Sequence, residues 1–353
     1  MATDLHPAET PTPSAEIAAE LSAILTGAAV APLDDRAFLR ITGPDATRWL
    51  NGMVTNAIQA LAPGEGCYNF LLNAQGRILG DCTIYRDPAA EPPAFLLESD
   101  AAQIDAIQAH LDHFIIMDDV ELSPFTGDRT GILLAGPKAA SILQRLGISA
   151  AQSAAISIQS VVWNKNPLDI IWINAPLVPI FELWSDLTTA LELDRALNSA
   201  GAASVSGESL EALRIVEGTP RYGIDIRNTD KAHDLPQETG QTRALNFTKG
   251  CYLGQEIVER IHSRGSVHRT FSGFILTGSL PAPGAELTAE SAPRPVGELT
   301  SVAAIPLPGT AAPTQLALGY IRRETLDLAL ARGLPLRYPG GTATPAALPF
   351  AVS

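Results

Sequence analysis

Apolar residues early in the chain predict a strand, a turn and a helix, in that order. Residues 38–41, Phe-Leu-Arg-Ile, form a short run that is apolar except for its arginine, Gly43 and Pro44 follow, and residues 46–53 place their apolar members at helical spacing. Proline suits the first turn of a helix, which supports this boundary. The same order of apolar run, Gly-Pro and helical face returns 93 residues later, at residues 132–146. The pattern therefore predicts a pseudo-repeated α+β core.

The segment between the two copies predicts a β-hairpin followed by further regular elements. Residues 68–72 and 78–85 have the composition of strands, and the sequence Asn-Ala-Gln-Gly at residues 73–76 is typical of a turn between them. The remaining predicted elements are a strand at residues 94–98 and helices that begin at Asp100 or cover residues 186–198 and 208–216.

Composition divides the chain into three parts. Residues 1–33 mix Pro, Thr, Ala and Glu and predict a loosely ordered N-terminal extension. Residues 34–270 form the predicted body. Residues 271–353 contain 11 of the 27 prolines among short apolar runs, which predicts a C-terminal β-barrel domain. We therefore expect an α+β protein with a separate barrel.

The overall composition is that of a globular protein with an excess of acidic residues. Apolar residues make up 46% and charged residues 18%, which excludes a mainly disordered chain. The 24 Lys and Arg against 38 Asp and Glu give a net charge of -14, so direct nucleic-acid binding is not expected.

Other sequence features bear on location and on metal binding. No apolar run approaches the ~18 residues of a membrane-spanning helix, and the first residues lack the pattern of a secretory signal peptide. Three cysteines without Cys-x-x-Cys spacing predict neither a disulfide framework nor a metal site. We expect a cytoplasmic protein that makes no membrane contact.

The most informative stretch is Lys-Gly-Cys-Tyr-Leu-Gly-Gln-Glu at residues 249–256. Apolar spacing after it predicts a helix that begins near Gly254, so Cys251 would lie just before a helix N-terminus and two residues from Lys249. Both features favour a thiolate. It would serve as a nucleophile, a redox thiol or a metal–sulfur ligand, and the simpler alternative is a small buried side chain.

Positive charge concentrates around this cysteine. Residues 243–269 contain five Lys or Arg and two Glu, in a chain of net charge -14. One interpretation is a site for an anionic ligand, such as a polycarboxylate tail or a phosphate. The other is a solvated helix face, stabilised by pairs such as Glu256 with Arg260.

The octapeptide resembles the KGCYxGQE signature of the YgfZ-type folate-binding proteins, which are relatives of the glycine-cleavage T-protein, an aminomethyltransferase. Mitochondrial members of that family act in iron–sulfur cluster assembly. The resemblance covers roughly residues 36–325. Its supporting motifs lie at residues 50–56, 72–78, 213–220, 235–238 and 297–301.

The resemblance implies a T-protein-like fold of two intertwined α+β lobes and a C-terminal barrel, with tetrahydrofolate in a central channel. It also implies a role in the maturation or repair of iron–sulfur enzymes, including radical enzymes that modify tRNA. The implied partners are folate, iron–sulfur assembly factors and client iron–sulfur enzymes. The cysteine of the signature maps onto Cys251, which we expect to be the reactive thiol.

The same resemblance supplies the other predicted site residues. Asp81 matches a carboxylate that works beside folate in T-proteins, and it joins Cys251 as a candidate catalytic residue. The predicted folate contacts are Asn56, Ser99, Glu217, Lys249, Tyr252, Gln255, Glu256 and Arg260.

The chain departs from T-proteins at positions that serve aminomethyl transfer. T-proteins carry an Asp-Asp pair where only Asp81 remains here, and an Asn where Ser99 stands. Their folate-binding Glu falls at Val216, one place before Glu217, and a shift of one rotates a helical side chain by about 100°. Their central Tyr-Thr-Gly-Glu motif has no counterpart in residues 155–185.

Three hypotheses about function follow. The first, which the loss of T-protein motifs favours, is a folate-dependent accessory protein for iron–sulfur clusters that acts through Cys251. The second is a tetrahydrofolate-dependent aminomethyl or one-carbon transferase, with Asp81 as its catalytic carboxylate. The third is a folate-binding or scaffolding module without chemistry of its own.

Overall fold

The structure is a computed structural model that describes residues 13–125, 129–153, 155–229, 233–265, 267–290 and 292–352. Within these residues the chain forms two β-sheets with helices packed against them, so the α+β class predicted from the sequence is confirmed. None of the helices in these ranges is both long enough and apolar enough to cross a membrane.

The strands are β1 Ala29–Leu33, β2 Arg36–Thr42, β3 Glu65–Leu72, β4 Ile78–Arg86, β5 Phe95–Asp100, β6 Glu121–Pro124, β7 Arg129–Ala135, β8 Ile156–Trp163, β9 Asn166–Ile173, β10 Ile180–Asp186, β11 Ala203–Ser204, β12 Arg269–Gly278, β13 Glu286–Leu287, β14 Gly297–Ile305, β15 Thr314–Arg322, β16 Leu336–Tyr338 and β17 Gly341–Ala346. The helices are α1 Pro13–Thr26, α2 Ala46–Met53, α3 Ala101–Asp112, α4 Ala139–Arg145, α5 Leu187–Ser199, α6 Gly207–Glu217, α7 Gln255–Arg264 and α8 Arg323–Arg332. Short 3₁₀ helices cover Pro236–Thr239 and Thr242–Ala244.

The large sheet contains the predicted repeat. Its strand order is β11-β1-β7-β10-β9-β8-β3-β4-β5-β2-β6 among the described residues. The run β7-β10-β9-β8 repeats the run β2-β5-β4-β3 in reverse, and the two lobes meet where β3 pairs with β8. The antiparallel ladders satisfy the backbone polar groups across this junction.

Each lobe contains, directly after its strand β2 or β7, the Gly-Pro turn that the sequence predicted. Gly43 and Gly136 follow β2 and β7 with φ of 115° and 118°, in the left-handed region that favours glycine. A Cβ at Gly43 would lie against the carbonyl of Asp119, and one at Gly136 would lie 2.6 Å from the Gly27 carbonyl oxygen. Both turns therefore require glycine for space as well as for conformation.

The N-terminal residues differ from the loosely ordered extension expected from their composition. β1 is an inner strand of the large sheet, paired with β7 of the second lobe, with Ala29 opposite Ala135. α1 buries Leu21 and Ile24 completely, against residues of α6 and the barrel. These partners are distant in sequence, which is why local composition did not indicate them. Residues 1–12 of the predicted extension lie outside the described residues.

The second sheet forms the predicted C-terminal barrel. Its order is β13-β14-β15-β12-β17-β16, and a bridge between Thr288 and Arg337 brings its two edges together. Apolar residues from every strand of this sheet fill its interior, with Phe274 and Leu299 completely buried. A near-closed sheet leaves few unpaired backbone groups at its edges.

A buried polar network joins the barrel to the body. Asp225 is completely buried and accepts hydrogen bonds from Arg214 of α6 at 2.7 Å and from Ser301 of β14 at 2.8 Å. Thr300 of β14 also donates to this carboxylate. Two of the motifs noted in the sequence, at residues 213–220 and 297–301, are thus parts of one contact between α6 and the barrel.

Candidate functional site

Cys251 is exposed on a loop that leads into α7. The loop is folded on itself at the start of the helix: Gln255 accepts a hydrogen bond through Oε1 from the Tyr252 amide at 2.9 Å, and its own amide donates to the Tyr252 carbonyl at 3.2 Å. Gly254 precedes the helix with φ of 83°. The helix therefore begins where the sequence predicted, and its first residues fix the loop that carries the thiol.

Lys249 holds the other side of this loop. Its ammonium donates to the carbonyl oxygens of Asn51, Val54 and Asn56 at 2.6, 2.6 and 2.7 Å. These carbonyls lie at and just beyond the C-terminal end of α2, where a cation is favourable. Burial lowers the pKa of Lys249 to about 8. All three of its donors are used, so Lys249 fixes the loop rather than offering a free cation to Cys251 or to folate, as the sequence had suggested.

Asp81 lies on β4 and both of its carboxylate oxygens are occupied. Tyr68 donates to Oδ2 at 2.6 Å and Gln103 donates to Oδ1 at 3.0 Å. Ser99, which stands at the position of a folate-contacting Asn in T-proteins, donates instead to the Asp81 backbone carbonyl at 2.7 Å. The Asp81 charge also raises the pKa of Tyr68, after the larger effect of burial. The Asp81 carboxylate is therefore held in one orientation by the Tyr68 phenol and the Gln103 amide.

A cavity of about 410 Å³ lies where the body, the barrel and the C-terminal segment meet. Its walls include Glu217, Thr239, Gln241, Arg243, Phe271 and Leu348. Glu217 is only 8% exposed, and Oε1 accepts a hydrogen bond from the Leu177 amide at 3.3 Å. Burial raises the pKa of Glu217 to about 7, and this shift is opposed first by the hydrogen bond from the Leu177 amide and then by the charge of Arg243. The cavity thus combines apolar walls with one buried carboxyl and one guanidinium.

Arg243 connects the cavity with the Asp81 group. Its guanidinium lies 5.0 Å from the centre of the Tyr68 ring, a cation–π distance, and it also lines the cavity. Tyr68 in turn binds Asp81. Glu217 and Asp81 therefore belong to neighbouring groups, although they are distant in the sequence.

The remaining predicted folate contacts have other positions. Asn56 donates through its side chain to the Arg243 carbonyl at 2.9 Å. Tyr252 is buried beneath Lys249, whose ammonium lies 5.0 Å from the ring, and burial raises the Tyr252 pKa to about 12. Glu256 and Arg260 are exposed on α7. None of these four residues lines the cavity.

Sequence reasoning did not single out Tyr68, Gln103 or Phe271. The hairpin register pairs Phe70 with Asp81, so alternation along β3 could have placed Tyr68 on the same face as Asp81. Gln103 and Phe271 come from α3 and β12, and no local signal relates either to Asp81 or to Glu217.

The sequence profile of the GCVT N-terminal domain matches residues 6–249. The chain belongs to the GCVT family. A crystal structure of the glycine cleavage system aminomethyltransferase T from Bartonella henselae superposes with a TM-score of 0.78 and 21% identity, covering 95% of this chain and 89% of that one. The T-protein-like fold expected from the sequence is therefore confirmed.

Curated relatives of this GCVT-family chain carry functional names of their own. The human mitochondrial iron–sulfur cluster assembly factor IBA57 is 30% identical over 274 residues, which span 71% of this chain and 67% of that protein. A putative chloroplastic transferase of Arabidopsis thaliana is 24% identical over 311 residues, 87% of this chain and 68% of that protein. The cytoplasmic location expected from the sequence is contradicted, because these relatives are mitochondrial and chloroplastic.

Proposed function

We propose that this GCVT-family protein is a folate-binding accessory protein in iron–sulfur cluster assembly or repair, with Cys251 as its reactive thiol. The observation that carries the proposal is the exposed Cys251 within an intact KGCYLGQE segment. That segment resembles the signature of the YgfZ-type proteins, and several relatives are named iron–sulfur cluster assembly factors. A structural cysteine is normally buried, so exposure favours a role in contact with another molecule.

The surroundings of Cys251 suit a protein partner. Exposed Arg260 and Arg264 lie on α7, the helix that follows the thiol loop, and Val258 is its one buried residue among those described. A helix with so little buried surface is available for contact. Glu256, Arg260 and Arg264 share one exposed face of this helix and give it a net charge of +1, which would attract an acidic group of an assembly factor or client enzyme.

The cavity fits tetrahydrofolate in its chemistry. Phe271 and Leu348 offer apolar contact to a flat ring, and the buried Glu217 carboxyl offers acceptors to ring amide and amine donors. Arg243 supplies a cation for the glutamate carboxylates of folate. In this proposal Glu217 and Arg243 hold the ligand, and folate supplies the capacity to carry a one-carbon unit.

A transferase is the second candidate, favoured by the Asp81–Tyr68 pair beside Arg243. A carboxylate near the folate cavity would orient or deprotonate a reacting nitrogen. The assay is formation of methylene-tetrahydrofolate from an aminomethylated lipoyl carrier, with Asp81→Asn as the inactive variant. If the wild-type protein gives no turnover, the transferase is excluded.

The proposed role is tested by complementation of a strain that lacks its own related protein. We expect the wild type to restore methylthio-modified tRNA, a product of an iron–sulfur radical enzyme, and Cys251→Ala to fail. Thr248→Ala is the control, because Thr248 is exposed three residues before the thiol and hydrogen-bonds Asn246, so its loss should leave complementation intact. Full rescue by Cys251→Ala would remove the thiol from the proposal, and no rescue by soluble wild type would remove the cluster role.

Folate binding is tested separately by titrating the purified protein with tetrahydrofolate under anaerobic conditions. We expect Glu217→Gln to weaken binding by tenfold or more, since one good hydrogen bond to a charged group contributes roughly 1.5–3 kcal/mol. Glu192→Gln, an exposed position on α5, is the control. Equal affinity of the two variants would place folate, if it binds, outside this cavity.

A further inference from the structure

The last residues of α2 and the turn that follows them, residues 51–56 and here called the α2 turn, contact two parts of the same chain segment. Thr55 donates through its hydroxyl to the Ala244 carbonyl at 2.6 Å, and its carbonyl accepts from the Asn246 amide at 3.1 Å. Lys249 donates to three carbonyls of the turn, as described above. One side of this α2 turn is therefore bound next to the cavity wall at Arg243, and the other side is bound next to Cys251.

Asn56 is the residue at which these two sets of contacts meet. Its side-chain amide donates to the Arg243 carbonyl at 2.9 Å, and its backbone carbonyl accepts from the Lys249 ammonium at 2.7 Å. The α2 turn is also bound to β3, because the backbone amide of Asn56 donates to the side-chain oxygen of Asn69 at 2.9 Å. A displacement of Arg243 would therefore act on a residue that is hydrogen-bonded to the base of the thiol loop.

Cys251 itself does not line the cavity, so a ligand there would not shield the thiol by contact. Cys251 lies eight positions after Arg243 in the sequence, and the α2 turn binds the segment near both ends. A ligand that orders Arg243 would reduce the motion of residues 243–251 as a whole, because both ends of this segment are hydrogen-bonded to the α2 turn.

We propose that occupation of the cavity controls the reactivity of Cys251 through the α2 turn, with Asn56 as the positioning residue that connects them. The inference rests on the proposed function in one respect, the choice of tetrahydrofolate as the ligand. Ligand binding lowers the rate at which Cys251 reacts, since an ordered thiol loop reaches fewer of the geometries that attack requires. The proposal makes the thiol responsive to folate.

The test is the rate of Cys251 alkylation by iodoacetamide at constant pH, followed by mass spectrometry, with and without saturating tetrahydrofolate. In the wild type we expect tetrahydrofolate to slow alkylation by about fivefold or more, the lower end of typical coupling between two sites. Asn56→Asp keeps an acceptor for the Ala57 amide, which the native side chain binds at 2.9 Å, but it cannot donate to the carbonyls of Arg243 and Tyr68, which lie 2.9 and 3.2 Å from the native side-chain nitrogen. We expect it to bind tetrahydrofolate and to show the same alkylation rate with and without it.

Thr248→Ala is the matched control. Thr248 lies between Arg243 and Cys251, is exposed, and hydrogen-bonds Asn246 rather than the α2 turn, so its variant should keep the wild-type ratio of rates. The ratio is a readout that general destabilisation would not move, and thermal unfolding of each variant checks that it is folded.

The outcomes separate the inference from the function on which it rests. If tetrahydrofolate binds the wild type but leaves the alkylation rate unchanged, the coupling is overturned and the folate proposal stands. If tetrahydrofolate does not bind, both are overturned. A ligand effect that persists in folded Asn56→Asp assigns the coupling to another route and overturns the role of Asn56.

Discussion

Gly254, at the start of α7, packs directly against Gly76 in the β3–β4 turn. A Cβ on Gly254 would lie 3.3 Å from the Gly76 Cα and 2.5 Å from the Asn73 carbonyl oxygen. Both glycines have φ in the left-handed region, 83° and 71°. The hairpin turn and the thiol segment, 178 positions apart at these glycines, thus form one packed unit. The hairpin is part of the support for Cys251.

Gly254→Ala should therefore destabilise the protein. The substitution combines an unfavourable backbone conformation, about 1–2 kcal/mol, with a contact against backbone that cannot move aside. Gly250→Ala is the control, because a Cβ there would meet nothing within 4 Å. Urea unfolding measures both. We expect Gly254→Ala to lower the free energy of unfolding by at least ~1 kcal/mol more than the control does. Equal decreases in the two variants would contradict the packing argument.

Lys249→Met should loosen the thiol loop while leaving the cavity walls in place. The variant keeps the length of the side chain and leaves three carbonyls without their donor, a cost of about 1–3 kcal/mol. Hydrogen exchange measured by mass spectrometry should show faster exchange in residues 249–254 and unchanged exchange in the barrel. Arg260→Met, an exposed position on α7, should change neither. Unaltered exchange around Cys251 in Lys249→Met would mean that the three hydrogen bonds are not what holds the loop.

The elements that the sequence predicted well are those set by local chemistry. The Gly-Pro turns, the β3–β4 hairpin and the beginning of α7 each follow from residues within one or two turns of chain. Lys249 shows the limit of that approach. Its spacing from Cys251 suggested a cation for the thiolate, but its ammonium is bound by the end of α2, about 200 residues earlier in the chain.

Contacts that are distant in sequence also explain why the predictions for Asn56 and for the N-terminal helix α1 differ from the structure. The environment of Asn56 is set by its hydrogen bond to Arg243, and that of α1 by its packing against α6 and the barrel. These partners are distant in sequence, so the local residues did not indicate them. Glu217 is the reverse example. A shift of one position argued against it by analogy, yet it lines the cavity as a buried carboxyl.

Asp225→Ala should weaken the attachment of the barrel to the body. Asp225 is the acceptor for Arg214, Thr300 and Ser301, and its removal takes away the buried one of the two carboxylates that pair with the Arg214 guanidinium. Breaking a buried pair in this way costs about 3–5 kcal/mol. Glu211→Ala is the control, because Glu211 pairs with the same Arg214 from a half-exposed position and should cost less, about 1 kcal/mol. Denaturant unfolding compares the two, and similar losses would show that burial of the Asp225 contact adds nothing.

Two buried glutamates from different lobes meet around a single arginine. Glu98 of β5 pairs with Arg36 at 2.6 Å and accepts from the Tyr85 hydroxyl at 2.7 Å. Glu182 of β10 is hydrogen-bonded to Glu98 and accepts from the Trp184 indole at 3.1 Å. Burial, and then the charge of Glu98, raises the pKa of Glu182 well above that of an ordinary glutamate. This raised pKa favours retention of one proton on Glu182 near neutral pH.

This proton makes the stability of the junction between the lobes depend on pH. Because the folded-state pKa of Glu182 is raised, its contribution is complete below the ordinary glutamate pKa of about 4.3. It is lost as the pH rises through the raised folded value, at about 1.4 kcal/mol per unit of difference. Glu182→Gln imitates the protonated form, so it should unfold at a higher temperature than the wild type under alkaline conditions and flatten this pH dependence. Glu98→Gln should instead destabilise the protein, since it deprives Arg36 of its carboxylate. The measurement is the thermal unfolding temperature of the three proteins as a function of pH, from acidic to alkaline conditions. If this temperature depends on pH in the same way in the wild type and in Glu182→Gln, Glu182 is already ionised in the folded protein.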